Sequence, residues 1–330
     1  MFAYIVRRLL YAIPILIGVN LLTFFLFNFV NDPIGQARKE LGKHADNKAV
    51  AGWLQRNGYA LKDGSPRPYY LNTAEGSNGI LTDTVFYDKS VRKMYFDFGK
   101  SRRQEDITRE IWNRAPASLM VNIPAMIFGI LFSLTLAMIV AYMRGSFVDT
   151  YGVILCVLAM SISIMFYIIG GQFLFAKLLN LYPISGYEPG MGAAKFVVMP
   201  VVVGFFGGLG SSIRFYRTIF LEEMSKDYVR TARAKGLSEV QVLSRHVLRN
   251  AMIPLVTQIV VDLPTIFIGS LVLERFFSIP GLGSYVIDGI QANDTNIVYS
   301  MTYLGAVLFI IGLILTDIAY TIVDPRIRLN

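Results

Sequence analysis

Cysteine is nearly missing from this chain: one residue, Cys156, among 330. No intrachain disulfide is therefore possible. Cys156 lies inside an apolar run, where a lone thiol behaves as a small buried hydrophobe. Histidine is equally scarce. His44 and His246 are the only two, far apart and without cysteine partners, which excludes an ordinary zinc site. Charge is thin as well. Only 16% of residues are charged, against about 25% in a typical soluble domain. No G-x-x-x-x-G-K-[ST] phosphate loop occurs. The glycine-rich stretch "GFFGGLGSS" (Gly204–Ser212) lacks the lysine and sits within an apolar run. No paired carboxylates, Cys/His cluster or nucleophile elbow stands out. The expectation is a chain that catalyses nothing and binds no cofactor or metal of its own.

What the chain has is apolar sequence in long uncharged blocks. Hydrophobic residues make up 54%, and the mean hydropathy is +0.50. Six runs approach the ~20 residues that a helix needs to cross hydrocarbon. They lie near Leu9–Val30, Ala117–Tyr142, Tyr151–Ala176, Phe196–Ile213, Ala251–Leu273 and Ile297–Thr316. Helices satisfy their own backbone groups in lipid, so the expected fold is an all-α membrane protein of six transmembrane helices. "MFAYIVRRLL" resembles the start of a signal sequence, but the following run is long and lacks an A-x-A site. An uncleaved first span is expected.

The net charge of +8 follows the spans. Arg7, Arg8, Arg144, Arg326 and Arg328 fall on one side if the N-terminus is inside. So does a cluster after span four: Arg214, Arg217, Lys226, Arg230, Arg233, Lys235, Arg245 and Arg249. The positive-inside rule then places both termini in the cytoplasm. The basic balance reads as topology, not as a nucleic-acid surface. Three regions are expected: the cytoplasmic N-terminus and first span over 1–30, an extracytoplasmic segment over 31–115, and a five-helix core over 116–330. The core carries a cytoplasmic loop at about 214–250. The outer segment is near the lower limit for an independent core, so it is expected to pack on the membrane face or on a partner. Within it, Ile107 and Ile111 are spaced for an interfacial helix that enters span two.

The cytoplasmic loop contains "YVRTARAKGLSEVQVLSRHVLRNAMIP" (Tyr228–Pro254). Tyr228, Val229 and Ala232 can share one face of a helix continuing from span four. Lys235 then Gly236 reads as a helix end. Ser238 reads as the N-cap of a new helix, with Gln241 completing a capping box and Leu237 and Val242 at the staple positions. Val240, Leu243 and Val247 are expected to form an apolar stripe on that helix. The pattern describes a helix–turn–helix knob between two membrane spans.

These residues resemble the cytoplasmic coupling loop of binding-protein-dependent ABC importer permeases of the dipeptide/oligopeptide family. The resemblance covers nearly the whole chain. "YIVRRLLYAIPIL" (Tyr4–Leu16), "FDFGKS" (Phe96–Ser101), "REIWNRAPASL" (Arg109–Leu119), "FFSIPGLGSYVIDGI" (Phe276–Ile290) and "DIAYTIVDPRIR" (Asp317–Arg328) extend it in order. The long external segment is similar to that of the first member of the paired permeases. The resemblance implies a type I ABC importer permease fold in a prokaryotic cytoplasmic (inner) membrane. It implies a second homologous permease, two ATPase subunits that hold the ATP and Mg, and an external substrate-binding protein. The coupling residues it implies are Tyr228, Arg230, Ala232, Lys235, Gly236, Leu237, Ser238, Val240 and Leu243. Arg230-Thr231 replaces the Glu-Ala of the widest form of the motif, and Pro254 lies farther from Gly236 than in that form.

Asp262 is the one carboxylate well inside a span, about 16 Å beyond Ala251 at 1.5 Å per residue. It either lines a pathway and meets a substrate amine, or pairs with a cation or caps a helix interrupted before Pro264. Asn122, Gln258 and Thr265, and more weakly Asn20 and Gln172, are further lining candidates or interhelical hydrogen bonders. Gly204 and Gly208 are spaced for close helix packing. "SIPGLG" (Ser278–Gly283) is a turn outside span five. The resemblance suggests an outer gate there, at Ser278, Pro280, Gly281 and Gly283. The leading expectation is the permease subunit of an ATP-driven peptide importer. The alternatives are the same machine with another cargo, such as an oligosaccharide or nickel chelate, or a self-contained secondary transporter. No convincing internal repeat supports the latter.

Overall fold

The computed structural model describes residues 2–28, 32–61, 64–72 and 84–323. All regular elements among them are helical. In chain order they are α1 (Phe2–Asn28), α2 (Pro33–Leu41), α3 (Asn47–Arg56), a π-helical turn (Tyr87–Val91) leading into α4 (Arg92–Met94), α5 (Ile107–Tyr142), α6 (Phe147–Ser161) and α7 (Ile164–Gly171). There follow α8 (Ala193–Met224), α9 (Asp227–Ala234), α10 (Glu239–Gln241), α11 (Leu248–Ile268), α12 (Leu271–Phe276), α13 (Leu282–Gln291) and α14 (Thr295–Val323). Five helical stretches are long and apolar enough to cross a membrane. A sixth span results if α6 and the stretch Ile164–Leu178 count as one, although they meet at a 90° bend. The chain is thus a multi-pass helical membrane protein.

The expected third span, Tyr151–Ala176, is therefore broken. Ile162 and Ser163 adopt extended backbone between α6 and α7, and the second half ends in a π-helical turn. The fifth expected span also stops early. Helix α11 ends at Ile268, and Leu273 belongs to the separate helix α12. Conversely, the second span begins early, because α5 runs unbroken from Ile107 through Pro116 and Pro124. Ile107 and Ile111 are buried there, while Trp112 is exposed.

The chain divides into two compact units. One comprises residues 1–6, 114–287 and 308–330, and the other 7–113 and 288–307. In the latter, Phe24, Ala37, Val50, Trp53, Tyr59, Val85 and Tyr299 form a single core. Its details follow ordinary rules. Asp32 caps α2 by accepting from Ile34 N (3.2 Å) and Gly35 N (3.0 Å), with Pro33 as the first helical residue. Trp53 stacks on Tyr59 at 6.2 Å and donates its indole N–H to Glu40 at 2.7 Å. Asn20, expected as a pathway liner or an interhelical hydrogen bonder, takes the second role in this packing. It is buried, donates to Ser90 O at 3.0 Å and accepts from the Tyr299 hydroxyl.

In the larger unit, α6 crosses α8 closely. A Cβ on Gly210 would stand 2.7 Å from the Cys156 carbonyl oxygen, and one on Gly207 would stand 2.6 Å from Ile164 Cδ1. Gly210 permits that contact, and Gly207 makes room for Ile164 at the start of α7. The expected pair behaves differently: Gly204 abuts the Leu273 side chain, and Gly208 has open space beside it. Arg217, read above as a topological charge, also has a local role. Its Nε donates to Asp149 Oδ1 at 2.8 Å, and Asp149 accepts from Gly145 N at 3.0 Å. The pair ties the α5–α6 turn to α8.

Candidate functional site

The knob is built at three joints. The first is a break, not a continuation. Helix α8 ends at Met224, and α9 starts afresh at Asp227. Glu223, only 8% exposed, bridges the break by accepting from the Tyr228 hydroxyl at 2.5 Å and pairing with the Lys226 ammonium. Burial and this carboxylate push the Tyr228 hydroxyl up to about 12. Glu223 gave no signal in the sequence, since it is one acid among several in "LEEMSKD".

The second joint is the turn at Gly236, which has φ +77°. Gly236 N donates to Arg233 O (2.9 Å) and Leu237 N to Ala232 O (3.4 Å), the two bonds of a Schellman motif. Across the turn, Arg233 Nε donates to Glu239 Oε1 at 3.0 Å and a terminal guanidinium nitrogen to Oε2 at 3.2 Å. The third joint is the start of α10, where the Ser238–Gln241 capping box is present. Gln241 Oε1 accepts from Ser238 N at 3.2 Å.

The apolar face of the knob differs from the expected one. Val242 and Val247 are fully buried beside Val229, Ala232, Phe220 and Ala251. Leu237, Leu243 and Tyr228 pack partly against them. Val240, by contrast, is 75% exposed. The reason is a π-helical turn over Val242–Val247. Its i→i+5 bonding brings residues five apart onto one face, so Val242 pairs with Val247 and the Val240–Leu243–Val247 stripe does not form. The exposed surface carries Arg230, Lys235, Gly236, Ser238 and Val240. Among the described residues Arg230 pairs with Asp227, at 3.7 Å and in solvent, so that pair contributes little to stability.

The other candidates divide into two places. Asn122 and Asp262 line one cavity of about 250 Å³, with Ser133, Gly208, Ser212 and Tyr216. Asn122 donates to Ile266 O at 3.1 Å. The Gln258 amide donates to Asp262 at 3.2 and 3.3 Å. The Thr265 side chain lies outside the described residues. Gln172 does not reach this cavity. It donates to Ile184 O (3.1 Å) and Phe276 O (3.3 Å), bracing the segment after span five.

That segment is a packed structure. Phe277, Ile279, Leu282 and Tyr285 are buried, whereas Ser278 and Pro280 are exposed. At its centre is Glu274, fully buried, which sequence reading missed. It accepts from Ser118 Oγ at 2.7 Å and from Ser284 N at 2.9 Å, while Ser118 Oγ accepts from Leu282 N at 2.7 Å. Burial raises its carboxyl above the ordinary range, and these donors oppose the shift. Gly281 and Gly283 leave the space it occupies, since a Cβ on either would come within 3 Å of its carboxylate.

The comparisons agree with this architecture. Residues 117–329 match the family model described as "Binding-protein-dependent transport system inner membrane component". The chain is 30% identical to the dipeptide transport system permease protein DppB of Bacillus subtilis (strain 168), over 99% of this chain and 98% of that protein. It is 29% identical to the DppB of Lactococcus lactis subsp. cremoris (strain MG1363), with full coverage of both. The oligopeptide transport system permease protein AppB of Bacillus subtilis (strain 168) is 27% identical, over 99% of this chain and all of that protein. The matched region holds the knob, the cavity and the packed segment, and the chain belongs to the family of binding-protein-dependent transport system inner membrane components.

Proposed function

We propose that this chain is the transmembrane permease subunit of an ATP-driven importer of dipeptides or oligopeptides. It forms the pathway with a second homologous permease and receives substrate from an external binding protein. Two ATPase subunits dock on the cytoplasmic side, where both termini lie, and bind the ATP and Mg. One observation carries the reading beyond family membership. A knob stands between two membrane helices, with its inner face buried in their shared core and its outer face presenting Val240 among Arg230, Lys235 and Ser238. An exposed valine on such a tip suits an apolar groove in a docked subunit, and the flanking cations suit an acidic rim.

The knob has three closed joints, so force applied to its tip is transmitted to α8 and α11. A motion driven by ATP binding then rocks the bundle between outward- and inward-facing states, given differential affinity of the ATPases for the two. Ser278 and Pro280, exposed above the Glu274 anchor, are assigned to the outer mouth. The test is to purify the tagged chain from its membrane in mild detergent and identify its companions by mass spectrometry. A second permease and ATPases should co-purify, and vesicles holding the complex should take up dipeptide only with ATP. Recovery as a homo-oligomer with uptake driven by an ion gradient would replace this reading with a secondary transporter.

A further inference from the structure

A cavity of about 360 Å³ in the smaller unit belongs to neither the knob nor the bundle core. It lies where two membrane-spanning stretches end. Phe27, on its wall, is the last residue of the first apolar stretch, and Thr295 is the first residue of the last. The wall is divided by polarity. Phe27, Val298 and Ile290, the last 57% exposed, form an apolar side. Lys39, Glu40, Arg102 and Asp294 form a charged side, two cations against two carboxylates. Asp294 is engaged within the protein, accepting from Asn296 N (3.1 Å), Ile297 N (3.4 Å) and Arg102 N (2.5 Å). Arg102 also donates to Ala292 O at 2.8 Å and pairs with Glu40 Oε2 at 3.1 Å, the oxygen that accepts from Trp53. Among the described residues, the Lys39 ammonium, Glu40 Oε1, the Asn293 amide and the Thr295 hydroxyl carry no hydrogen bond or ion pair. Separated charges of zero sum, beside an apolar wall at the end of a span, suit a zwitterion with a hydrocarbon body and not a simple ion.

We propose that this cavity seats the headgroup of an aminophospholipid, a phosphodiester that carries a primary ammonium. The phosphate takes the Lys39 ammonium and the Thr295 hydroxyl, within the field of Arg102. The ammonium takes Glu40 Oε1 and the Asn293 side-chain oxygen. The glycerol and the first acyl carbons lie along Phe27, Val298 and Ile290. Basic pockets at the membrane boundary bind phospholipid headgroups, and the carboxylate here adds selection for the ammonium. A quaternary headgroup has no N–H to donate, and a glycerol headgroup has no cation. A soluble zwitterion matches the charges but leaves the apolar wall in water. The assignment needs only that the chain spans a membrane, so it does not depend on the importer reading.

The test is native mass spectrometry of the full-length chain, purified with its accompanying subunits, delipidated, and titrated with phosphatidylethanolamine, phosphatidylcholine or phosphatidylglycerol. Phosphatidylethanolamine should bind at least ~10-fold more tightly than the other two, a preference equivalent to 1.4 kcal/mol. Lys39→Gln should weaken it about 5-fold, the effect of one cation at a lipid surface, and Lys39→Arg should retain it. Glu40→Gln keeps an oxygen for Trp53 and Arg102 but should bring the ethanolamine and choline lipids within about twofold of each other. Asn293→Gly keeps the backbone at φ +53° and should weaken phosphatidylethanolamine alone. A carbodiimide gives a second readout, since it joins a primary amine to a carboxylate with loss of water. Phosphatidylethanolamine should be found covalently on Glu40, and phosphatidylcholine should not. Free phosphoethanolamine or a dipeptide in large excess should not displace the lipid. Equal affinity for the three lipids, unchanged binding in Lys39→Gln and Glu40→Gln, or displacement by either soluble zwitterion would overturn the proposal.

Discussion

Glu223 accepts the Tyr228 hydroxyl hydrogen bond at 2.5 Å across the break between α8 and α9, and the Lys226 ammonium pairs with the same carboxylate. This bond ties the start of α9 to the end of α8. Hydrogen bonds to a charged group contribute about 1.5–3 kcal/mol. Glu223→Ala should lower ATP-dependent uptake while the chain remains at its normal level in the membrane. Tyr228→Phe should have a smaller effect, because Lys226 still holds Glu223. The Tyr228 hydroxyl is raised above its ordinary value of 10, to about 12. Its contribution is thus complete below pH 10 and lost as pH rises through 12, so uptake between pH 6 and 9 should show no titration from it. Wild-type uptake by Glu223→Ala would remove this joint from the coupling route.

Gly236 sits at φ +77°, and its N–H donates to Arg233 O. Alanine there costs about 1–2 kcal/mol in the left-handed region. Proline cannot reach that φ and also removes the donor. Gly236→Pro should leave the subunit in the membrane but abolish uptake, and Gly236→Asn should retain most of it, since asparagine tolerates this conformation. Uptake assayed beside membrane abundance decides the matter. Normal transport by Gly236→Pro would sink the role assigned to the knob.

Part of this site was legible because its signals are local. The left-handed glycine, the Ser238–Gln241 box and the burial of Val229 and Ala232 follow from spacings of three or four residues. Val240 was misplaced because the reading assumed 3.6 residues per turn where the chain adopts a π-helical turn, and nothing in "VLSRHV" marks that change. The break at Ile162–Ser163 was hidden in an uncharged run, where hydropathy measures length but not straightness. Glu223 and Glu274 were missed because a carboxylate looks solvated until its tertiary donors are known. Ser118, which holds Glu274, is 156 residues away.

Glu274 should therefore be the strongest single determinant of the packed segment that follows α12. Glu274→Ala leaves Ser118 and the Ser284 N–H without their acceptor in a buried site. Leaving a buried neutral donor unsatisfied in this way costs about 1–3 kcal/mol for each group. The variant should lose thermal stability and become sensitive to proteolysis between Phe277 and Ser284. Ser118→Ala should give a partial form of the same defect. Unchanged protection of that segment in Glu274→Ala would show that the apolar contacts of Ile279 and Leu282 suffice to hold it.

Two buried lysines, in the π-helical turn and in α4, should make the other unit sensitive to pH. Lys93 is 2% exposed, has no hydrogen-bond partner for its amine among the described residues, and lies 3.5 Å above the centre of the Tyr299 ring. Lys89, one turn earlier, donates to Asn296 Oδ1 at 3.1 Å. Burial lowers the Lys89 ammonium to about 8, with Asp294 and Asp88 opposing the shift and Arg67 assisting it. Burial and the neighbouring Lys89 charge lower Lys93 further. A depressed lysine binds fewer protons folded than unfolded between its two values. Stability of this unit should therefore rise as pH climbs from about 8 toward 10, and acidification through that window should remove the gain. Lys93→Met, which keeps the volume and discards the buried charge, should raise the melting temperature at pH 7, and Lys89→Met should flatten the slope above pH 8. Melting curves of the two variants across pH 7 to 10 test both statements. A destabilised Lys93→Met would mean that the contact with Tyr299 outweighs the cost of burying the ammonium.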